Sequence, residues 1–179
     1  MKPALVAASV AAFSTTSVYA GGLDRSGQPI GILFETGNHA ELSFGTTNPT
    51  VDGTDLATTQ STGNVAEDFN TLSGGVKLQL NDKWSIALLA DQPYGADILY
   101  TGSSAASSLG GTATTVDSTA ITALARYKFD DNWSVHGGIR YQEISADVTI
   151  GGLAFGPLNG YNAQFSNDGA LGYVVGAAY

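Results

Sequence analysis

Hydrophobic and polar residues alternate along much of the chain between residues 41 and 179. From the first tryptophan onwards, one series of alternate positions holds Trp84, Ile86, Leu88 and Ala90. The same period of two runs through residues 120–129 and 133–142, and it returns around Leu42, Val76 and Leu171. A period of two is typical of strands that have one apolar face. The pattern therefore predicts about six antiparallel strands and an all-β fold.

Two stretches share one design, in which a strand, a short polar turn and an aromatic residue lead into the next strand. They are residues 77–88 and 127–137, and their turns precede Trp84 and Trp133. Long connections separate these hairpins, at residues 52–70, 101–117 and 151–168. Short turns that alternate with long loops are typical of outer-membrane β-barrels. The second connection is a low-complexity run of Ser, Thr, Gly and Ala, so we expect a mobile external loop there.

Aromatic residues distinguish a transmembrane barrel from a soluble sandwich, whose strands would alternate in the same way. They cluster beside the short turns, where a membrane-interface girdle is expected: Trp84, Tyr127, Phe129 and Trp133. A closed barrel also has no open strand edges, which a sheet of these strands would otherwise expose. We therefore predict an antiparallel transmembrane β-barrel of the outer-membrane type.

The basic residues of two strands fall on the face opposite the aromatic residues. Arg126, Lys128 and Arg140 are then expected to point into the lumen, where Glu41 and Glu143 are candidate partners. Facing lipid, each charge would cost about 2–4 kcal/mol at the bilayer midplane. The alternation thus predicts a charged interior and an apolar exterior.

The first twenty residues have the organisation of a secretory signal. Lys2 precedes an apolar run from residue 4 to residue 13, and Val18, Tyr19 and Ala20 form a small-residue cleavage site. The run is too short to span a bilayer, which requires about 20 apolar residues. We predict that residues 1–20 are removed on export.

Composition excludes several classes of function. The 179 residues include 7 Lys or Arg, 16 Asp or Glu and no cysteine, for a net charge of -9. An acidic chain without a basic stripe is not expected to bind nucleic acid, and without cysteine there is neither a disulfide nor a thiol nucleophile. His39 and His136 have no nucleophile pattern nearby and are expected to be satisfied lumen or turn residues. We expect no cofactor, no metal and no enzymatic activity.

The third long connection is unusually apolar for an external loop. Its large hydrophobic residues are Leu153, Phe155, Leu158, Tyr161 and Phe165. An apolar surface of this kind often binds an apolar partner. The same residues could instead pack into the mouth of a barrel, and the sequence leaves both interpretations open.

Residues 89–100 carry Pro93, Tyr94 and Gly95 followed by Tyr100. In this segment the chain resembles the FadL/TodX family of outer-membrane channels for long-chain fatty acids and hydrocarbons, whose third strand carries a Pro-aromatic-Gly and a tyrosine. The two short turns and residues 168–179 are also similar to that family. Gln28, Pro29 and Ile30 lie where the family has a helix that joins a plug to the barrel.

The resemblance implies a lateral gate, because the family's third strand is kinked inward and opens the wall. Carried over, the gate consists of Asp91, Gln92, Pro93, Tyr94 and Gly95. It also implies a short plug at residues 21–37 and barrel strands across residues 38–179. Without the resemblance, Pro93 would indicate a strand end or an edge bulge.

The family's barrels have fourteen strands, whereas this chain supplies about six. We therefore expect the N-terminal part of a longer protein; the alternative is a small barrel completed by strands around residues 30–35 and 153–164. The predicted function is passive uptake of hydrophobic substrates across the outer membrane of a Gram-negative bacterium. The expected partners are outer-membrane lipid, hydrophobic small-molecule cargo and the barrel assembly machinery. A structural or adhesive barrel of the surface-antigen type, without transport, is the alternative function.

Overall fold

The computed structural model describes residues 23–179, so the predicted signal peptide at residues 1–20 lies outside the described part. Seven strands form most of it: β1 (His39–Thr47), β2 (Phe69–Gln79), β3 (Trp84–Asp91), β4 (Gly95–Leu99), β5 (Ala113–Lys128), β6 (Ser134–Ile150) and β7 (Tyr161–Ala178). Two short 3₁₀ helices span Ile30–Phe34 and Leu153–Leu158. Neither of these helices has the length and apolar character needed to cross a bilayer. The all-β antiparallel prediction is confirmed.

All seven strands belong to one antiparallel sheet. Its order is β1-β2-β3-β5-β6-β7, and β4 also pairs with β5. β3 pairs with residues 120–127 of β5, whereas β4 pairs with residues 113–117. β3 and β4 are therefore two pieces of one interrupted strand, and the sheet has six strand positions. Within residues 23–179 no pairing joins β1 to β7, so the sheet is open at these two edges.

The two short turns use the same hydrogen bonds. Asn81 Oδ1 accepts the backbone N–H groups of Lys83 and Trp84 at 3.0 and 2.9 Å. Asp130 Oδ1 accepts those of Asn132 and Trp133, both at 2.8 Å, and these bonds hold the pKa of the Asp130 carboxyl below its ordinary value. A side-chain acceptor that satisfies the backbone two and three residues later is what makes Asn and Asp good turn residues. The repeated sequence pattern is therefore a repeated turn structure.

The two faces of the sheet have opposite polarity. We call the face that Ile32 and Leu33 cover the inner face, and the opposite one the outer face. Cross-strand rows of the outer face are apolar and exposed, with Leu42, Leu78, Leu88, Ile121, Ile139, Leu171, Tyr173 and Val175 among them. Polar and charged residues are buried on the inner face: Lys77, Ser85, Asp91, Thr122, Ser134 and His136. This is the reverse of a soluble sheet, which buries its apolar face.

A small apolar cluster holds the N-terminal segment against the inner face. Ile32 and Leu33 are 2% and 0% exposed and pack against Ala87, Leu89 and Leu124. Because residues 30–34 form a 3₁₀ helix, the alternative prediction of a barrel strand at residues 30–35 is wrong. The apolar pattern at Ile30, Ile32 and Leu33 instead serves this packing.

The predicted loop boundaries are wrong at their C-terminal ends. β2 begins at Phe69, β5 at Ala113 and β7 at Tyr161, so each strand starts inside a predicted loop. In β5 the residues concerned are Thr114, Thr115 and Val116, whose β-branched side chains favour strands. They lie opposite residues 146–148 of β6. Long cross-strand pairing of this kind extends a strand through a polar sequence that shows little alternation.

Two adjacent glycines of β6 allow a direct test of the sheet packing. A Cβ at residue 138 would overlap the backbone carbonyl of Ala123, whereas at residue 137 the nearest atom would be Val174 O at 3.4 Å. We expect Gly138→Ala to lower the free energy of unfolding by about 1–3 kcal/mol and Gly137→Ala to change it by less than about 1 kcal/mol. Urea unfolding in lipid vesicles measures both. Equal stability of the two variants would contradict the described packing of β5 on β6.

Candidate functional site

The third strand position is interrupted at residues 92–94, between β3 and β4. Pro93 has no backbone N–H to donate to a neighbouring strand. Ser118 of β5 replaces part of the lost pairing, since its Oγ accepts Tyr94 N–H at 2.8 Å and donates to Tyr94 O at 2.7 Å. The interruption is therefore fixed on the β5 side by one buried serine.

On the other side, the interruption leaves an opening in the sheet. β3 pairs with β2 only as far as Ala90, opposite Gly74, so residues 69–73 of β2 have no partner strand on that side. Gln92 Oε1 accepts Leu72 N–H at 2.9 Å. Residues 65–67 close the far end, where Leu99 N–H donates to Val65 O at 2.9 Å. We call the opening between residues 69–73 and residues 92–96 the wall gap.

A short N-terminal segment occupies the wall gap. We call residues 23–26 the closing segment. Arg25 N–H donates to Pro93 O at 2.7 Å, and Gly95 N–H donates to Leu23 O at 2.8 Å. These two bonds form an antiparallel bridge between Asp24 and Tyr94. The closing segment thus pairs with the interrupted strand on the side where pairing with β2 has ended.

The Arg25 side chain spans the wall gap. Its Nη2 lies 2.5 Å from Asp97 Oδ2 of β4, and its guanidinium carbon lies 4.2 Å from the ring centroid of Phe69 of β2. The side chain is 7% exposed. A Cβ at Gly95 would overlap this guanidinium, which gives a physical reason for glycine at that position. Arg25 therefore joins both borders of the gap.

A second link ties the closing segment to the strand interruption. Ser26 Oγ donates to Asp91 Oδ2 at 2.7 Å. Asp91, 2% exposed, also accepts two hydrogen bonds from Arg140, both at 3.2 Å, and Arg140 donates to Thr122 at 2.8 Å. Two-point contacts between Arg and a carboxylate fix geometry as well as charge. Asp91 therefore links the sheet to the N-terminal segment through hydrogen bonds.

The prediction that Glu41 and Glu143 pair with the basic residues of the inner face is wrong. Arg140 pairs with Asp91, whereas Glu143 accepts a hydrogen bond from Tyr141 at 2.9 Å. Arg126 forms no ion pair within the described residues, and neither does Glu41. Facing positions on one sheet do not specify which charges meet across the interior, and this explains the error.

Three cavities lie between the long loops and the wall gap. The first, about 560 Å³, is lined by the first two long loops and the residues next to them. The second, about 380 Å³, lies beside the gap and shares Val51, Val65 and Tyr100 with the first. The third, about 470 Å³, includes residues of both sheet faces around Gln92 and shares Arg25 with the second. The second cavity therefore adjoins both of the others, and Arg25 lines the second and the third.

The predicted capture residues are distributed over two elements. Leu153, Phe155 and Leu158 belong to the second 3₁₀ helix, and Tyr161 and Phe165 belong to β7 rather than to a loop. All except Phe155, which is half-buried, are exposed. None lines the three cavities near the gap.

Sequence reasoning missed the apolar residues that do line the first cavity. They are Val51, Leu56, Val65, Tyr100 and Leu109. They belong to two loops that are distant in sequence, and the second loop is the one predicted to be mobile. Isolated apolar residues within the polar stretch 51–65 were the only available signal.

Hydrogen bonds connect the three long loops. Asp55 accepts Ser108 N–H at 2.6 Å and the Ser108 hydroxyl at 2.8 Å. The second 3₁₀ helix attaches to the same loop, because Leu153 N–H and Ala154 N–H donate to Ser107 O and Ser108 O, both at 3.0 Å. The hydrogen bonds from Ser108 hold the pKa of Asp55 far below its ordinary value. The predicted mobile loop is thus bonded to both neighbouring loops.

Comparison with known proteins gives one limited result. No protein-family model and no curated protein matches the chain. Among solved structures, it is similar to a FadL homologue from Pseudomonas aeruginosa, with 17% sequence identity and a TM-score of 0.49. The match covers 78% of this chain and 38% of that chain.

We predict that Arg25 and Gly95 act together in holding the closing segment. Arg25→Ala should speed amide hydrogen exchange at residues 25 and 95, whose N–H groups form the bridge, about tenfold, because an ion pair and a cation–π contact are lost. Gly95→Ala should have the same effect, since its methyl group displaces the guanidinium.

The double variant Arg25→Ala/Gly95→Ala tests whether the two substitutions act through the same contact. If Gly95→Ala acts through Arg25, it should add little in the Arg25→Ala background. Lys83→Ala, in a short turn far from the gap, is the matched control and should leave amide exchange at residues 25 and 95 unchanged. Multiplicative effects of the two substitutions would contradict the proposed contact.

The Asp55 carboxylate should hold the loops together over a defined pH range. Its folded-state pKa lies below the ordinary value of 3.8, so the stabilisation is fully present above that value and is lost as the pH falls through the lowered pKa. Asp55→Asn should speed proteolysis of residues 100–112 severalfold at pH 7. Asp52→Asn, in the same loop, should not. Wild-type loops that open already between pH 7 and pH 5 would contradict this assignment.

Proposed function

We propose that the chain forms part of the wall of an outer-membrane channel for the passive uptake of hydrophobic substrates, such as long-chain fatty acids. In this proposal, cargo enters between the long loops and leaves sideways into the membrane through the wall gap. The observation that carries the proposal is the inverted polarity of the sheet, combined with an interruption that opens its wall.

The inverted polarity supports a membrane location. An outer face with Leu171 at 77% exposure and Tyr173 at 86% would be costly in water, and contiguous apolar patches of this kind mark membrane or protein contacts. In a bilayer the same face is favourable, and the buried polar inner face is shielded from lipid. This polarity supports our proposal that the chain lies in the outer membrane of a Gram-negative bacterium, with the barrel assembly machinery as its partner during insertion.

Aromatic contacts at the short-turn end support the same orientation. Trp84 packs on Tyr127 at 4.9 Å between ring centroids, and Tyr127 on Phe129 at 5.2 Å. Trp133 packs on Tyr179, also at 4.9 Å. Rows of aromatic side chains at one end of a sheet suit the boundary between lipid and water. The short turns would then lie at the periplasmic side and the long loops outside.

The adjacent cavities support a lateral route. The first is mainly apolar and opens between the external loops, and the third contains Leu42 and Leu72 of the outer face together with inner-face residues. Displacing the closing segment would connect these spaces through the sheet. Each CH₂ group transferred from water into lipid gains about 0.8 kcal/mol, so an apolar molecule would move by this route without an energy source.

A disulfide between the closing segment and the interrupted strand tests the proposal. Asp24 and Tyr94 form an antiparallel bridge, and opposed residues of this kind lie close enough for a disulfide. The native chain has no cysteine. We expect Asp24→Cys/Tyr94→Cys to block uptake of a fluorescent fatty acid into vesicles when oxidised and to restore it after reduction.

The matched control locks two strands that stay paired in the proposal. Thr119→Cys/Glu143→Cys joins directly opposed positions of β5 and β6, and its oxidation should leave uptake unchanged. Uptake that is unaffected by the oxidised disulfide between positions 24 and 94 would contradict lateral release through the gap. Absence of uptake by the wild-type protein would contradict the proposed channel function itself.

A further inference from the structure

We infer that the inner face carries a binding subsite for the carboxylate of an amphipathic molecule, formed by Arg126, Lys128 and His136 at the short-turn end. The inference rests on the proposed function, because it assigns a place to the charged end of the cargo. It concerns a different part of the sheet from the wall gap. The residues that enclose the gap take no part in it.

The sheet register brings these three basic residues together. Arg126 of β5 lies directly opposite His136 of β6, and Lys128 lies opposite Ser134. All three belong to the inner face, since their positions alternate with those of the outer-face residues Tyr127 and Val135. Side chains at directly opposed positions of neighbouring strands interact. An anion between Arg126 and His136 would therefore contact both of them.

None of the three has an acidic partner among residues 23–179. The ion pairs in this part of the chain use Arg25 and Arg140, but not Arg126, Lys128 or His136. Arg126 donates from Nε to Ser134 Oγ at 3.0 Å and from Nη1 to Leu33 O only at 3.5 Å. Its guanidinium therefore has donor capacity left for a ligand.

The third residue of the subsite, His136, is buried, and one of its ring nitrogens lacks a hydrogen-bond partner within the described residues. His136 is 8% exposed, and its Nδ1 has no hydrogen-bond partner within the described residues. The expectation of a satisfied histidine is therefore wrong for His136. A buried polar atom without a partner is costly. With its proton on Nδ1, the ring would donate to an anion that also contacts Arg126.

Lys77, another basic residue of the inner face, has a hydrogen-bond acceptor for each of its donors. Lys77, 1% exposed, donates to Glu35 O at 2.6 Å, Gly37 O at 2.9 Å and Gln79 Oε1 at 2.7 Å. These three bonds use every donor of its ammonium group. Lys77 thus anchors the N-terminal segment, whereas Arg126 and His136 do not have comparable partners.

An aromatic ring beside the charges indicates an amphipathic ligand. The Phe34 centroid lies 4.5 Å from the Arg126 guanidinium carbon and 5.5 Å from the His136 ring, which it meets edge-on. A small hydrated anion would gain no favourable contact from the apolar Phe34 ring. A carboxylate attached to a hydrocarbon chain would use both the positive charges and the ring.

Paired probes of equal chain length test the subsite. We would measure binding of dodecanoate and of dodecanol to the full chain in lipid nanodiscs, by competition with a fluorescent fatty acid. Arg126→Gln should weaken dodecanoate at least about tenfold, because a charge-assisted hydrogen bond is lost, and should leave dodecanol unchanged. Arg126→Lys should retain part of the preference. Lys83→Gln, a basic residue of the adjacent turn, is the control and should change neither.

Lys128→Gln provides a second variant if Arg126→Gln does not fold, and it should also weaken dodecanoate selectively. Equal loss of both probes in both variants would overturn the subsite, as would unchanged dodecanoate binding. In either case wild-type binding of the two probes would leave the channel proposal intact. Failure of the wild-type protein to bind either probe would instead reject the proposed function.

Discussion

The absence of a backbone donor at Pro93 is the constraint on which the described structure depends. A proline inside a sheet removes a ladder hydrogen bond, and here it separates β3 from β4. Pairing with β5 continues on both sides of the break, so the interruption opens the sheet only towards β2. The exposed backbone groups at Pro93 and Gly95 are satisfied by Leu23 and Arg25. The N-terminal segment therefore completes the wall that the proline interrupts.

The closing segment is held much less firmly than the strands beside it. β5 and β6 pair over 16 positions, whereas the closing segment makes one bridge, one close ion pair, one cation–π contact and one serine hydrogen bond. Each of these contributes on the order of 1 kcal/mol. Elements with few buried contacts open at lower free energy than the surrounding fold. The structure thus combines a stable sheet with one displaceable piece.

Much of the fold could be predicted from local sequence, and the reasons are visible in particular residues. The alternation from Trp84 to Asp91 gives the correct inner and outer faces of β3, and Asn81 and Asp130 indicate the two turns. Pro93 and Gly95 mark the interruption. These features depend on neighbours within a few positions along the chain.

Contacts between distant segments could not be predicted in this way. Nothing near Arg25 indicates that it meets Asp97 and Phe69, and the Asp91–Arg140 pair joins residues 49 positions apart. Likewise, Asp55 and Ser108 belong to different loops, one of which has a composition typical of mobile segments. The strand starts at Ala113 and Tyr161 were missed because cross-strand pairing, rather than alternation, extends those strands.

Amide hydrogen exchange in lipid nanodiscs tests most directly whether the closing segment is a displaceable part of the wall. We expect the amides of Arg25 and Gly95, which form the bridge, to lose protection when a saturating hydrophobic cargo is added. The amides of β5 and β6 should remain protected under the same conditions. Protection at Arg25 and Gly95 that stays equal to that of β5, in the presence of cargo that is being transported, would contradict the account.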